Sequence, residues 1–263
     1  MEIQLWRELL EPYSLAVDEI VVKFEHLINA YRKAGNYSPV EQVKGRVKSI
    51  SSILEKCQKK GISLKEFEDH MDDIAGVRII CQFTEDIYKV VEIIKNRADM
   101  EIKEEKDYLV NVKKSGYRSY HMVVYYTVET LQGPKRLKVE IQIRTLAMNF
   151  WATAEHSLRY KYSGNIPEDI QERLTNCAGA AFNLDQEMST IRGEITNAQR
   201  LNEIRSSMTS NILENIQKLH FVAKLDDMDS INREFVDVWN SHDIDRLREF
   251  NEKLNVMVEV YRV

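Results

Sequence analysis

The sequence predicts an α+β protein, with a mixed sheet of about five strands flanked by helices and a helical C-terminal extension. All the strand-like runs lie in the first 145 residues, and the chain after Thr145 has the apolar spacing of helices. A length of 263 residues, with 43% hydrophobic and 30% charged residues, is typical of a globular chain with one large domain and an appendage. We predict a domain over 1–198 and a mostly helical extension over 199–263.

Composition excludes several function classes. No apolar run is long enough to span a bilayer, and the N-terminus lacks the pattern of a secretion signal. The three cysteines, Cys57, Cys81 and Cys177, lack C-x-x-C spacing, so neither a disulfide framework nor a zinc site is indicated. A net charge of −5 argues against non-specific nucleic-acid binding. We therefore expect a cytoplasmic protein with no membrane or strong nucleic-acid signal.

The first elements are predicted from the spacing of apolar residues and from the proline and glycine residues that bound them. Residues 13–31 have the three-to-four-residue spacing of an amphipathic helix, which we expect to start at Pro12 after a shorter helical stretch at 6–10. A short strand is predicted at Val43–Val47. A helix follows from about Ser49 and stops before Gly61.

The next elements alternate between helix and strand. Ser63 and Glu66 match a capping box that would open a short helix. A strand at Val77–Phe83 precedes a helix that Thr84 could cap. Three more strands are predicted near 100–106, 121–128 and 136–144, and the turn at Gln132-Gly133-Pro134 makes the last two an antiparallel hairpin.

The extension has three apolar stripes at helical spacing, in segments around 201–219, 231–239 and 244–254. It has nine Lys and Arg residues against twelve Asp and Glu residues, so it is not a basic arm for RNA. It could serve packing or oligomerisation, or bind a partner, and the sequence does not separate these roles.

The strand predicted at 136–144 has two different faces. A period of two places apolar side chains on one face and polar ones on the other. The polar set is Lys138, Glu140, Gln142 and Arg144. Taken alone, the segment is a half-exposed strand with a solvated polar face.

Acidic residues suggest a metal site beside that strand. Asp72 and Asp73 come directly before the strand at Val77, which places a carboxylate at the mouth of the sheet. Paired with Glu140, it would form the two-carboxylate Mg²⁺ site that phosphoryl-type transfer needs. Taken alone, an Asp before a strand is usually a turn residue.

Basic residues form two clusters, which would suit two phosphorylated substrates. The loop at 113–121 combines cations, a glycine, two tyrosines and a histidine, a set that can hold phosphate and stack on a base. The other cluster consists of Lys44, Arg46, Lys48, Lys56, Lys59 and Lys60. Farther on, Asn149 and His156 share a polar helical face.

Five ordered motifs resemble the synthetase domain of the Rel/Spo proteins, and most closely the small alarmone synthetases. The resemblance runs from about residue 5 to 197. The motifs are Gly45-Arg-Val-Lys-Ser49, Asp73-Ile-Ala-Gly-Val-Arg78, Gly116-Tyr-Arg-Ser-Tyr-His121, Glu140-Ile-Gln-Ile-Arg-Thr145 and Met148-Asn-Phe-Trp-Ala152 with Glu155-His156 and Tyr160-Lys161.

The resemblance implies a nucleotidyltransferase-like fold and a (p)ppGpp synthetase that moves the β,γ-pyrophosphate of ATP to the 3′-hydroxyl of GDP or GTP. Asp73 and Glu140 would hold Mg²⁺, and Glu140 would act as general base. The residues implied for ATP are Arg46 and Arg78 around adenine and Lys48, Lys56 and Lys60 at the phosphates. The residues implied for the acceptor are Tyr117, Gln142 and Asn149 at guanine, Lys113 and Lys114 at its phosphates, and His121 and His156 lining the site.

Relatives resembling this chain form homotetramers, so a homo-oligomer is expected. Lys106 stands where relatives commonly have Arg, which would replace a bidentate phosphate contact with a point charge. Gln42 and Lys44 differ from the residues associated with an alarmone-responsive cleft, which puts self-activation in doubt.

Only synthesis is expected. The long Rel/Spo proteins also contain a His-Asp hydrolase, but the one His-Asp pair here, His242-Asp243, lies in the extension and is interpreted as a helix start. Two alternatives stay open: another acceptor, an adenosine nucleotide or a tRNA 3′ end, and a non-catalytic nucleotide- or RNA-binding regulator.

Overall fold

The computed structural model describes residues 3–161, 166–222 and 228–260. The helices are α1 (Ile3–Lys33), α2 (Ile50–Lys60), α3 (Phe67–His70), α4 (Thr84–Lys95), α5 (Leu146–Lys161), α6 (Glu168–Val222), α7 (Met228–Asn240) and α8 (Ile244–Val260). The strands are β1 (Gln42–Val47), β2 (Ala75–Cys81), β3 (Glu101–Asp107), β4 (Tyr120–Thr130) and β5 (Gly133–Thr145). None of the described helices is long and apolar enough to cross a membrane.

The five strands form one mixed sheet in the order β1-β2-β5-β4-β3. β2 and β5 are parallel, and the other neighbouring pairs are antiparallel. β4 and β5 form the predicted hairpin, with Gly133 at a φ of 105° in the turn. The predicted α+β class and five-stranded mixed sheet are confirmed.

The two faces of the sheet differ as the sequence predicted for β5. Apolar side chains from β2, β4 and β5 are buried on one face, together with side chains of α1 and α4. In the centre of that face, Ile141 of β5 pairs with Val77 and Met122, and all three are at most 1% exposed. The opposite face presents the polar side chains of β1, β2 and β5, and the candidate site lies there.

α1 corrects one prediction. It is a single helix that continues through Pro12, not a helix that begins there after a separate stretch. Pro12 removes one backbone donor, but burial continues across it: Trp6 and Tyr13 are 5% and 3% exposed, and Trp6 packs on Phe67. Packing on both sides of the proline stabilises the continuous helix.

Two predicted helix caps are wrong. Ser63 accepts a hydrogen bond from the backbone of Lys65 and forms a turn, and α3 begins only after Glu66, whose side chain makes no cap. Thr84 is the first residue of α4, and its buried hydroxyl has no partner within the described chain. The helix predicted from about Ser49 to before Gly61 is confirmed as α2, with Ser49 as its N-cap and Gly61 ending it at a φ of 65°.

The chain divides into two compact units between Ser189 and Thr190. In the second unit, the end of α6 packs with α7 and α8 around its own core. This core consists of Ile212, Ile216, Leu219, Ile231, Val238, Leu247, Phe250 and Leu254. Asp243 accepts hydrogen bonds from the backbone of Asp245 and Arg246, so His242-Asp243 is the helix start that the sequence predicted. The predicted boundary at residue 198 stays a prediction.

Candidate active site

Strand register builds the site on the polar face of the sheet. One continuous row of paired residues crosses all five strands: Lys44, Arg78, Gln142, His121 and Lys106. In the adjacent row, Gly76 lies between Arg46 and Glu140. Because Gly76 has no side chain, the floor between this cation and this carboxylate stays open.

Two adjoining cavities lie over these rows. The first, of about 210 Å³, is lined by Lys44, Gly45, Arg46, Asp73, Gly76, Val77, Arg78, Glu140 and Gln142. The second, of about 320 Å³, is lined by Arg46, Arg78, Lys113, Tyr117, Gln142, Arg144, Ala152, Thr153, Glu155 and His156. The two share Arg46, Arg78 and Gln142, so predicted donor and acceptor residues face one connected space.

Asp73 lies at the edge of the first cavity between two lysines. Its Oδ2 accepts from Lys48 Nζ at 2.8 Å, and its Oδ1 accepts from Lys56 Nζ at 2.7 Å. Burial opposes ionisation of this carboxyl, but the hydrogen bonds and charges of the two lysines outweigh burial and lower its pKa. Asp73 is therefore a carboxylate at neutral pH.

Glu140 has a partner on each carboxylate oxygen. His121 Nδ1 lies 3.2 Å from Oε1, and Gln142 Nε2 donates to Oε2 at 2.8 Å. Burial would raise the pKa of this group, but the hydrogen bonds from His121 and Gln142 prevail and lower it, even with the charge of Asp73 nearby. Glu140 is thus a half-buried, oriented carboxylate.

The donor set can hold a hard cation. Two ionised carboxylates, Asp73 and Glu140, face the same cavity, and carboxylate oxygens are the ligands that Mg²⁺ prefers. The described residues contain no group of three or more His, Cys, Asp or Glu side chains placed to bind a metal. The chemistry therefore fits an ion with two protein ligands and the rest from water or substrate phosphate.

Two guanidinium groups frame the junction of the cavities. Burial, followed by the charges of Arg144 and Arg46, lowers the pKa of Arg78, and its Nε has no hydrogen-bond partner among the described residues. A flat cation with an unpartnered edge suits a planar ligand stacked on its face. Arg46 lines the same space.

Tyr117 lines the second cavity with its ring among cations. Lys113 Nζ lies 4.7 Å from the ring centroid and 4.3 Å from that of Tyr108. The Tyr117 hydroxyl contacts His121 Nε2 at 2.7 Å and accepts from Arg144 Nη2 at 2.6 Å. The loop is held by Gly116, whose φ of 81° and close approach to Ala178 exclude a side chain.

Of the other predicted site residues, some line the two cavities and some lie outside them. His156 lines the second cavity. Lys114 lines a separate space of about 250 Å³ beside Trp151 and Arg159. Asn149 lines neither of the two site cavities, and its buried Oδ1 has no partner in the described chain. Lys60 is exposed one helical turn beyond Lys56. The side chains of Tyr160 and Lys161 lie outside the described residues.

Sequence reasoning missed the importance of Arg144. It counted this residue only as part of a polar strand face, yet Arg144 is 5% exposed and bonded to Ser119, Tyr117 and Gln142. The available signal was its position two residues after Gln142 on the same face. Glu155 was also missed as a lining residue of the second cavity.

Comparisons with known proteins agree with this geometry. The family model described as "Region found in RelA / SpoT proteins" matches residues 45–165. The GTP pyrophosphokinase YjbM of Bacillus subtilis is 52% identical over 199 residues, which is 76% of this chain and 94% of that protein. The chain belongs to the RelA/SpoT family. Within this family it resembles the small alarmone synthetases.

Solved structures of small alarmone synthetases share the fold. Synthetase 1 from Bacillus subtilis bound to its product pppGpp has 52% identity and a TM-score of 0.71, covering 73% of this chain and 98% of that chain. The same synthetase bound to AMPCPP has 48% identity and a TM-score of 0.66, covering 74% and 99%. Both matches span most of the relative, so the whole synthetase fold is present here.

Proposed function

We propose that this chain is a GTP pyrophosphokinase that transfers the β,γ-pyrophosphate of ATP to the 3′-hydroxyl of GDP or GTP, giving ppGpp or pppGpp and AMP. The observation that carries the proposal is the pair of ionised carboxylates, Asp73 and Glu140, which line the first of two adjoining cation-rich cavities. A transferase needs this arrangement because two polyanionic substrates must meet in line. The identity of the acceptor, a guanosine nucleotide, is inferred from the relatives named as GTP pyrophosphokinases.

The donor is assigned to the first cavity and the adjoining lysines. Arg46 and Arg78 would take the adenine between their guanidinium planes, since both residues line the first cavity. Lys48 and Lys56 now neutralise Asp73 and would turn to the ATP phosphates, with Lys60 farther along the same helix. The two lysines would then keep an anionic partner, because phosphate replaces the carboxylate, and Asp73 would be released to hold the metal ion.

The acceptor is assigned to the second cavity. Tyr117 would stack on guanine, with Gln142 and Asn149 at the edge of the base. The resemblance carries the assignment of Asn149, since this residue lines neither cavity and its buried Oδ1 has no partner in the described chain. Lys113 and Lys114 would meet the acceptor phosphates, and His121 and His156 would line the site.

Glu140 is assigned the role of general base. Its carboxylate is ionised and oriented by two hydrogen bonds, so it can take the proton of the 3′-hydroxyl as that oxygen attacks the β-phosphorus. AMP leaves as the bond between the α,β-bridging oxygen and the β-phosphorus breaks. Cations at Lys48 and Lys56 stabilise the charge on the transferring group.

Asp73 and Glu140 would also hold Mg²⁺. Bound there, the ion would neutralise charge on the transferring phosphates. A homotetramer, expected from the resemblance, is part of the same proposal.

The test is acceptor choice. Purified protein with Mg²⁺ and γ-³²P-ATP is offered GDP, GTP, ADP or tRNA separately, and products are resolved by chromatography. We expect label on GDP or GTP only. Label only on ADP or tRNA would overturn the acceptor, and no transfer by folded, nucleotide-binding protein would favour a regulator.

A further inference from the structure

The inference concerns Arg144, a buried arginine that is linked to Glu140, the proposed general base, through hydrogen bonds. One nitrogen, Nη2, donates both to the Tyr117 hydroxyl at 2.6 Å and to Gln142 Oε1 at 2.7 Å. Its Nε donates to Ser119 Oγ at 3.3 Å, which fixes the plane of the guanidinium. Arginine has only donors, so the direction of every bond it makes is settled.

The first arm runs through the tyrosine to the histidine. Because the Tyr117 hydroxyl oxygen accepts from Arg144, its own proton is available for His121 Nε2, 2.7 Å away. Glu140 is a carboxylate and can only accept, so His121 Nδ1 must be the nitrogen that donates to it. The Glu140 end of the arm therefore requires a proton on Nδ1 of His121, and the Tyr117 hydroxyl holds the other ring nitrogen in place.

The second arm runs through the glutamine. Because Arg144 donates to Gln142 Oε1, the amide group must present Nε2 on its other side. That nitrogen donates to Glu140 Oε2 at 2.8 Å. The two arms thus leave one nitrogen of Arg144 and end on the two oxygens of Glu140.

We propose that Arg144 is the positioning residue of this site: it anchors both hydrogen-bond arms and so orients Glu140 and the ring of Tyr117. The proposal rests on the proposed function, in which Glu140 activates the 3′-hydroxyl. Arg144 does not touch the reacting atoms itself. Lysine cannot replace it, because an ammonium has no second nitrogen to bond Ser119 Oγ and so is not held in the plane that aims one nitrogen at both Tyr117 and Gln142.

Loss of Arg144 would leave Glu140 in place but free its orientation. Gln142 could then turn its amide, and the Tyr117 hydroxyl could point away from His121. Changes to the groups that orient metal-ligating residues, as Glu140 is proposed to be, typically cost about 10–100-fold in metal affinity or activity. The loss is expected in kcat and in the KM for GDP or GTP, with the KM for ATP little changed.

The spectroscopic test does not depend on turnover. In ¹⁵N-labelled full-length protein at one fixed pH, long-range ¹H–¹⁵N spectra should show Nδ1–H for His121, and the Gln142 side-chain amide should be ordered. In Arg144→Lys the Gln142 amide signal should move and broaden. The matched control is Arg136→Lys, the same change on the same strand outside the site, which should leave both signals unchanged.

The kinetic test adds chemical rescue. Arg144→Ala should lose about 10–100-fold in kcat, and added guanidinium should restore at least part of it where methylammonium does not. Arg144→Lys serves if the alanine variant does not fold. An Nε2–H tautomer in the wild type overturns the proposal, and so does wild-type kcat with unmoved Gln142 signals in Arg144→Lys. A wild-type protein that transfers no pyrophosphate would overturn the proposed function but not the positioning role of Arg144, because the spectra report the hydrogen-bond network without turnover.

Discussion

At the scale of single residues, two glycines with positive φ allow the cost of backbone strain to be measured apart from the cost of steric overlap. Gly116 has a φ of 81°, and a Cβ there would lie 2.5 Å from the Cβ of Ala178. Gly133 has a φ of 105° with nothing within 4 Å of a Cβ. Both alanine variants pay the strain, of order 1–3 kcal/mol, but only Gly116→Ala adds an overlap.

We expect Gly116→Ala to lower the free energy of unfolding by about 1–3 kcal/mol more than Gly133→Ala, because overpacking costs that much. It should also reduce pyrophosphate transfer, since the loop holding Tyr117 must shift. Urea unfolding of both variants measures the difference. Equal destabilisation would mean that the approach to Ala178 is not rigid.

Asp185 makes stability depend on pH. Burial raises its pKa to about 6, and the hydrogen bond from Thr145 offsets only part of this. The folded state therefore binds a proton more tightly than the unfolded state, whose pKa is about 3.9. Folding stability should fall as pH rises from about 4 to about 6 and then stay level in this contribution.

Asp185→Asn removes that penalty and keeps an acceptor for Thr145. We expect the variant to exceed the wild type at pH 7.5 by up to about 3 kcal/mol in the free energy of unfolding, since each pKa unit is worth 1.36 kcal/mol. At pH 4.5 most of the gain should vanish. A gain that is the same at both pH values would contradict the assignment.

At the scale of elements, β1 lies against α1 so closely that only glycine fits between them. A Cβ on Gly45 would lie 2.2 Å from Val17 Cγ1. Gly45→Ala should cost about 1–3 kcal/mol by overpacking. Val17→Ala removes the obstructing methyl group, so the double variant should lose less stability than the sum of the single variants. Additive losses in urea unfolding would show that the two elements do not compete for this space.

The sequence predicted elements well where one periodicity ran without interruption. The polar face of β5 was predicted because a period of two separates Glu140 and Gln142 from buried Ile141. The caps at Ser63 and Thr84 were wrong because local hydroxyls match a pattern that tertiary packing overrides. Pro12 misled for the same reason, since its helix is stabilised by distant contacts such as that of Trp6 with Phe67.

The sequence predicted those site residues that lie in local motifs and missed those that depend on long-range contacts. Asp73, Glu140 and Tyr117 lie in motifs whose residue types point to chemistry on their own. Arg144 gains its meaning only from its bond to Tyr117, 27 positions away, and from its own burial. Asp185 likewise depends on Thr145, 40 positions away. Such long-range pairs have no local pattern in a single sequence.

At the scale of the whole molecule, the second unit has a core of its own. Leu254 is fully buried in that core, as Ile87 is in the core of the sheet. We expect two unfolding transitions, of which Leu254→Ala should lower one by about 2–5 kcal/mol. Ile87→Ala should lower the other. Transfer activity of Leu254→Ala should stay at the wild-type level below its first transition. One shared transition lowered by both variants would contradict independent cores.

The central claim is that Glu140, on the polar face of the sheet, drives transfer of an intact pyrophosphate. The most direct measurement compares α-³²P-ATP with γ-³²P-ATP as donor to GDP or GTP, for the wild type and Glu140→Gln. We expect the γ-label on the guanosine product and the α-label on AMP with the wild type. With Glu140→Gln we expect neither, although equilibrium dialysis should still detect nucleotide binding. Label transfer by Glu140→Gln at the wild-type rate, or α-label on the guanosine product, would contradict the account.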